Sequence, residues 1–274
     1  MFNHKYFMKQ VAISLLILST ISFAACNKMH LSMDDDLQLI EEKTFSISPG
    51  KDLAVDVSSG DVIVTYWDKT EVYVKILGNE NAIEKMEFTL EGNEEMVKVL
   101  AKKKSSISSW FSNIGIKIEI KVPSEFNVDV NTSGGDIKYG GISGNAVLNT
   151  SGGDVWAEKF VGNLNISTSG GDISLIGGDT KINAETSGGD IKLDYKGKNK
   201  GIDLSTSGGD IVIKLPEEFK ASMQLSTSGG DVSCSLNMSN VKKSSGTKLV
   251  GDINGGGEKL SAHTSGGDIT VTNR

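Results

Sequence analysis

Six aspartates in equivalent settings are the first residues of this chain that could do chemistry. Asp136, Asp154, Asp172, Asp190, Asp210 and Asp231 each close a Thr-Ser-Gly-Gly-Asp motif and precede Ile or Val, and Asp268 closes a seventh copy. The first three steps are 18 residues, the next two 20 and 21. Carboxylates recurring beside glycines could share calcium ions between adjacent turns, as glycine-rich nonapeptide repeats do. Here the Gly-x-Asp element of those repeats is missing and the period is doubled. The aspartates are therefore read as turn caps that accept local N–H bonds. Glycoside hydrolysis, the main catalytic alternative, needs two or three carboxylates converging in one groove. One aspartate in the same turn of every repeat is instead a structural pattern, and Arg274, the only arginine, leaves lyase chemistry little to draw on.

Nucleophilic chemistry fares no better. Beyond the leader only His30 and His263 remain, and Ser265 near His263 is a repeat serine like the others, so a triad is weakly supported. Cys234 shares the alternating position of Tyr139, Ala157, Leu175, Leu193 and Ile213 and reads as a small buried apolar residue. No catalytic residue, cofactor or resident metal is expected.

The repeats that carry the aspartates set the architecture. Ile173 and Leu175, then Leu164, Ile166 and Thr168, show the period-two alternation of strands with one buried face. Each repeat holds two short strands, and no single repeat can bury its own apolar face. Stacked at ~4.8 Å, the repeats form an all-β solenoid with columns of Ile, Val and Leu inside. Structural turns fall at Gly134 and Gly135, Gly152 and Gly153, Gly170 and Gly171, Gly188 and Gly189, Gly208 and Gly209, Gly229 and Gly230, and Gly266 and Gly267. These glycines are expected to adopt positive φ and to let backbones of neighbouring rungs pass closely. Val250-Gly251-Asp252-Ile253 reads as a degenerate copy and Ser58-Ser59-Gly60-Asp61-Val62 as a partial one.

Four segments follow from the pattern. Residues 1–25 form a leader, 26–40 a polar tether, 41–125 a β-rich antiparallel N-terminal cap, and 126–274 the solenoid. Gly92-Asn93 marks a hairpin within the cap. The stretch 105–115 interrupts it with Ile107, Trp110, Phe111 and Ile114, either a loop folded over the core or a candidate contact loop. Lys121-Val122-Pro123-Ser124-Glu125-Phe126 is echoed by Lys214-Leu215-Pro216-Glu217-Glu218-Phe219, which indicates a bend between groups of rungs.

In the leader, Lys5 and Lys9 precede an apolar run at 11–23 that is short for a membrane span and ends Phe23-Ala24-Ala25-Cys26. This ending resembles the lipobox of bacterial lipoproteins, with Phe23 where leucine is more usual, and implies cleavage before an acylated Cys26. Cys234 then has no disulfide partner. Loss of residues 1–25 removes two lysines and no acids, so the net charge moves from −7 to −9. An acidic, arginine-poor body is a poor match for nucleic acid.

The Ser-Gly-Gly-Asp-Ile/Val turns, the entry Val57-Ser58-Ser59-Gly60-Asp61 with Trp67-Asp68 after it, and Lys121-Val122-Pro123 resemble the bacterial "putative adhesin" β-strand-repeat family, a domain of unknown function. The resemblance spans residues 45–272. It implies a non-enzymatic envelope lipoprotein, held to a membrane by its lipid, presenting a rigid rod to a protein or glycan at the cell surface. An envelope-stress or signalling accessory is the alternative from another class. The lipid reading predicts that Cys26→Ser abolishes metabolic palmitate labelling and leaves the precursor uncleaved; labelling that survives the substitution refutes it.

Overall fold

A computed structural model describes residues 37–104 and 113–274; Cys26, His30, Ile107, Trp110 and Phe111 lie outside the described residues. The N-terminal part forms β1 (Gln38–Ser46), β2 (Asp52–Val57), β3 (Asp61–Tyr66), β4 (Glu71–Gly78), a short helix α1 (Glu80–Lys85), β5 (Met86–Gly92), β6 (Met96–Lys103) and β7 (Ile116–Val122). Five two-strand rungs follow: β8 (Asn127–Thr132) with β9 (Ile137–Gly140), β10 (Ser143–Asn149) with β11 (Val155–Glu158), β12 (Val161–Ser167) with β13 (Ile173–Gly177), β14 (Thr180–Glu185) with β15 (Ile191–Tyr195), and β16 (Ile202–Ser205) with β17 (Ile211–Leu215). The chain ends with β18 (Ala221–Ser226), β19 (Val232–Cys234), β20 (Met238–Ser245), β21 (Lys248–Ile253), β22 (Lys259–His263) and β23 (Ile269–Asn273).

These strands make two long sheets. Sheet A runs β1-β4-β7-β3-β9-β11-β13-β15-β17-β23-β19, and sheet B runs β20-β21-β18-β22-β16-β14-β12-β10-β8-β2-β6-β5. Each rung gives one strand to each sheet, and successive rungs pair in parallel and in register: Val155 stands between Ile137 and Ile173, and Leu164 between Ala146 and Ile182. The inward columns of both sheets merge into one buried core. This is the all-β solenoid that the repeat calls for.

Spatial order and chain order part company at two places. Strands β6 and β7 form the outermost rung on one side, and β2 and β3 sit between it and the β8–β9 rung. At the other end β22 and β23 sit between the β16–β17 rung and the β18–β19 rung. The chain skips past an occupied rung twice, from β7 to β8 and from β17 to β18. The two proline segments are those skips. Pro123 and Pro216 follow the last residue of a sheet A strand, where no ladder donor is needed. Phe126 and Phe219 then turn into the core at 1% and 2% exposure. The echo, expected to mark a bend between rung groups, marks the two skipped rungs.

Two further expectations are corrected by the strand pairing. Within the N-terminal part only β1, β4 and β5 are antiparallel to their neighbours, whereas β2–β3 and β6–β7 are parallel rungs of the stack. The degenerate copy at 250–253 is no rung either: it belongs to β21, which pairs antiparallel with β18 and β20. The Gly92-Asn93 hairpin joins β5 to β6 as expected.

The turn residues tie one rung to the next in three ways. Each motif threonine is buried, and its hydroxyl donates to a glycine carbonyl of the neighbouring rung at 2.8–3.1 Å. In six of these turns the hydroxyl oxygen also accepts from the second glycine N–H of its own turn. Along the spatial order Asp61, Asp136, Asp154, Asp172, Asp190, Asp210, Asp268 and Asp231, the Oδ1 of each aspartate but the last accepts the backbone N–H of the next at 2.8–3.0 Å.

The glycine pairs act by close approach, and the expectation of positive φ fails. None of the paired glycines of the seven turns has a left-handed φ; that conformation falls instead at Gly60 and at glycines such as Gly144 and Gly162 that open a strand. What the second glycine of each pair lacks is room. A Cβ on Gly171 would run into the Gly153 carbonyl, and Gly153, Gly189 and Gly209 face the same obstacle. The first glycine is roomier: a Cβ on Gly170 would lie 3.8 Å from its nearest neighbours. Gly171→Ala is expected to cost ~1–3 kcal/mol, and Gly170→Ala less than ~0.5 kcal/mol, read as shifts in denaturant midpoint; equal effects would disprove the close-approach account. Asp172→Asn keeps the acceptor for the Asp190 N–H and should be near neutral, while Asp172→Ala should cost up to ~1 kcal/mol. Because Oδ1 of every stacked aspartate but Asp231 serves an N–H, calcium or chelator should leave the melting temperature unchanged, and a clear calcium-dependent rise would refute the turn-cap role.

Candidate functional site

The repeat residues singled out by the sequence form a column of hydrogen-bonded turns along one side of the stack, and nothing there converges. Among the described residues no group of three or more His, Cys, Asp and Glu side chains is placed to hold a metal ion. His263 is exposed, and its Nδ1 lies 3.1 Å from both the hydroxyl and the carbonyl oxygen of Ser226, so its ring partner is not Ser265. Cys234 does stand in the predicted column, next to Val271, but at the short edge strand β19 it is only half-buried. Burial pushes its thiol pKa up, which disfavours a reactive thiolate. Ile114, the described member of the candidate contact loop, packs against the core.

The distinctive surface lies elsewhere, on the outer faces of the two sheets. Alternation that sends Ile, Val and Leu inward sends every second residue outward, and in-register stacking lines those residues into rows. On sheet B two of the rows are laddered by asparagine. Asn149 Nδ2 donates to Asn131 Oδ1 at 2.9 Å and Asn163 Nδ2 to Asn145 Oδ1 at 2.7 Å, side-chain ladders that follow the rungs.

Sheet A carries a different row. Register places Ile63, Lys138, Trp156, Ser174, Lys192 and Val212 side by side on successive strands. Trp156 is 49% exposed. The neighbouring row contains Gly140, Glu158, Ile176, Asp194 and Lys214. Gly140 has no side chain and Ser174 a short one, so the surface drops on either side of the indole. A groove of about 310 Å³ opens toward Ile63, Thr65 and Lys138. Another of about 470 Å³ opens over Ser174 and Ile176 toward Val212 and Lys214. Both are lined mainly by apolar surface with charged groups at the rim. Below the first groove lies Tyr139, whose phenol pKa burial raises far above its usual value, so it stays neutral.

The charges around these grooves are unevenly matched. Asp194 is held by the Arg274 guanidinium through Nε and Nη2, Glu158 lies 3.7 Å from Lys159, and Lys192 lies 3.5 Å from Asp190. Lys138 and Lys214 take part in no ion pair among the described residues. Sequence reasoning passed over Trp156 in favour of Trp110 and Phe111. The signal was present: a tryptophan at the outward position between inward Val155 and Ala157.

Comparison with known proteins follows the repeat. Residues 127–272, more than half of the chain, match the model of the family described as Toastrack DUF4097. No curated protein matches. Among solved structures, a "putative cell adhesion protein" from Clostridium sporogenes is similar at 14% identity over 86% of this chain and 100% of that one, with a TM-score of 0.43. A "putative adhesin" from Bacteroides fragilis is similar at 15% identity over 86% and 97%, with a TM-score of 0.42. A "putative lipid binding protein" from Parabacteroides distasonis is similar at 14% identity over 87% and 97%, with a TM-score of 0.31. The chain belongs to the Toastrack DUF4097 family.

Proposed function

We propose that the chain is a non-enzymatic cell-envelope protein, tethered through lipid at Cys26, that presents the outer face of sheet A to a surface ligand. The single observation that carries this reading is Trp156, half exposed at the crest between two grooves on an otherwise regular sheet. Leaving such a ring in water forgoes its burial, and upright aromatic residues flanked by polar groups are typical anchors of binding surfaces. The stack supports the role. Strands paired on both sides hold Trp156 on a rigid element, so little ordering is needed on binding. The recurring threonine hydroxyls and the Oδ1 atoms of the stacked aspartates serve cross-rung bonds, a structural use of the groups that recur most regularly.

The reading is tested by comparing the full chain with Trp156→Ala and with Asn165→Ala, an exposed position on sheet B, against arrays of glycans and purified surface proteins. The expected outcome is loss of binding by at least ~30-fold for Trp156→Ala, the effect of an anchor worth ~2 kcal/mol, with binding of Asn165→Ala unchanged. Binding that survives Trp156→Ala, or is lost equally in both variants, would show that sheet A is not the binding face.

A further inference from the structure

We infer that the paired grooves beside Trp156 bind an acidic glycan chain lying along the stacking axis of the rungs. This rests on the reading of sheet A as the binding face and goes further by fixing the chemistry and direction of its ligand. The direction comes from the placement of the grooves. One spans β3, β9 and β11, the other β11, β13, β15 and β17, and Trp156 on β11 is common to both. Six adjacent strands at ~4.8 Å make a track of roughly 24 Å, long and narrow, so the ligand that fills it is a chain and not a single small molecule.

The chemistry of the track selects among chains. A peptide strand docks by pairing its backbone with a sheet edge, and the track lies on a sheet face whose backbone groups are already used in the ladders. A lipid tail needs an enclosed apolar cavity, whereas both grooves are open and rimmed by charge. A sugar chain presents apolar ring faces and hydroxyls at each repeat. The indole of Trp156 offers one flat stacking surface, and Thr65, Ser174 and the rim lysines offer donors on successive rungs.

Charge then decides between neutral and acidic sugars. The carboxylates on this face are matched, Asp194 by Arg274 and Glu158 by Lys159. Lys138 flanks Trp156 directly on one side and Lys214 stands at the far end of the second groove, neither of them in an ion pair among the described residues. Two available ammonium groups on either side of a stacking platform suit a chain with carboxylate or sulfate groups spaced along it.

The test measures binding of the full chain to polygalacturonate as an acidic probe and to dextran as a neutral one, across a range of sodium chloride. Polygalacturonate is expected to bind at least tenfold more tightly than dextran at low salt, to weaken steadily as salt rises, and to gain affinity from short fragments to long ones. Trp156→Ala should reduce its binding at least tenfold, and Lys138→Gln with Lys214→Gln should reduce it and flatten the salt dependence. Dextran binding as tightly, or acidic binding that ignores both lysines, would overturn the acidic class. Acidic binding unaffected by Trp156→Ala would overturn the site. Loss of all glycan binding alongside a Trp156-dependent protein ligand on the arrays would overturn this inference while leaving the proposed function standing.

Discussion

The motif threonine sets the spacing on which the rest of the molecule depends. Its hydroxyl sits inside the turn, donates to a carbonyl of the neighbouring rung and, in most turns, accepts from its own glycine N–H. In the central turns both of its partners are buried with it. A buried carbonyl or N–H left unpaired costs ~1–3 kcal/mol, whereas an exposed group that loses a partner can turn to water. By that measure the threonine column outweighs the aspartate column, although aspartate is the more conspicuous letter of the repeat. Close approach at the second glycine is the geometric condition for this bond, because any side chain there would force the rungs apart. Once the turns are locked at one spacing, the inward columns stack in register. No buried side-chain polar atom among the described residues is left without a partner.

A stack held by nearest-neighbour ties is vulnerable at its ends, where one face of the last rung has no partner. Two devices answer this. Antiparallel strands cover the outer rungs: β4 and β1 on sheet A and β5 on sheet B at one end, β21 and β20 on sheet B at the other. The exposed edges are also poor templates for pairing, since β19 has three residues and β20 carries Lys242 and Lys243 beside a shift in register. The second device is the skip. Because β22–β23 lies between two other rungs, freeing it breaks ladders on both sides, in contrast to a simple coil that peels from its last turn. Arg274 adds to this by reaching across to Asp194 on β15, while its N–H donates to the Leu215 carbonyl on β17.

Most of the fold was legible in the sequence because a strict period carries its own register. Once Thr-Ser-Gly-Gly-Asp recurs every 18 residues with period-two alternation around it, parallel in-register stacking is the arrangement that buries every apolar column together. The order of rungs was not legible. Repeats so alike in sequence are nearly interchangeable in the stack, so nothing local says that the copy ending in Asp268 precedes in space the copy ending in Asp231. The proline echo was visible, but its meaning depends on which slot is already filled. The glycine pairs show a subtler limit: two identical letters, side by side, meet different surroundings, and only the three-dimensional neighbour distinguishes Gly170 from Gly171. For the site, attention went to clusters of aromatic residues such as Trp110 and Phe111. Trp156 has no aromatic residue adjacent to it in the sequence and acquires its outward neighbours only when the rungs stack.

That stacking also explains why one face of the molecule can specialise. In-register pairing copies each outward position into a row, so a face whose residues repeat, such as the asparagines of sheet B, satisfies itself by laddering from rung to rung. The sheet A row does not repeat: Lys138, Trp156, Ser174, Lys192 and Val212 differ at every step. Such a row can form no ladder, and the side chains of Lys138 and Trp156 within it make no bond to a neighbouring rung among the described residues. Each rung can thus change its outward residue without disturbing the threonine bond, the glycine contact or the inward column that hold it in place. The constraint that makes the interior monotonous is what leaves the exterior of sheet A free to vary, and the residues that distinguish one rung from the next stand there and not in the turns.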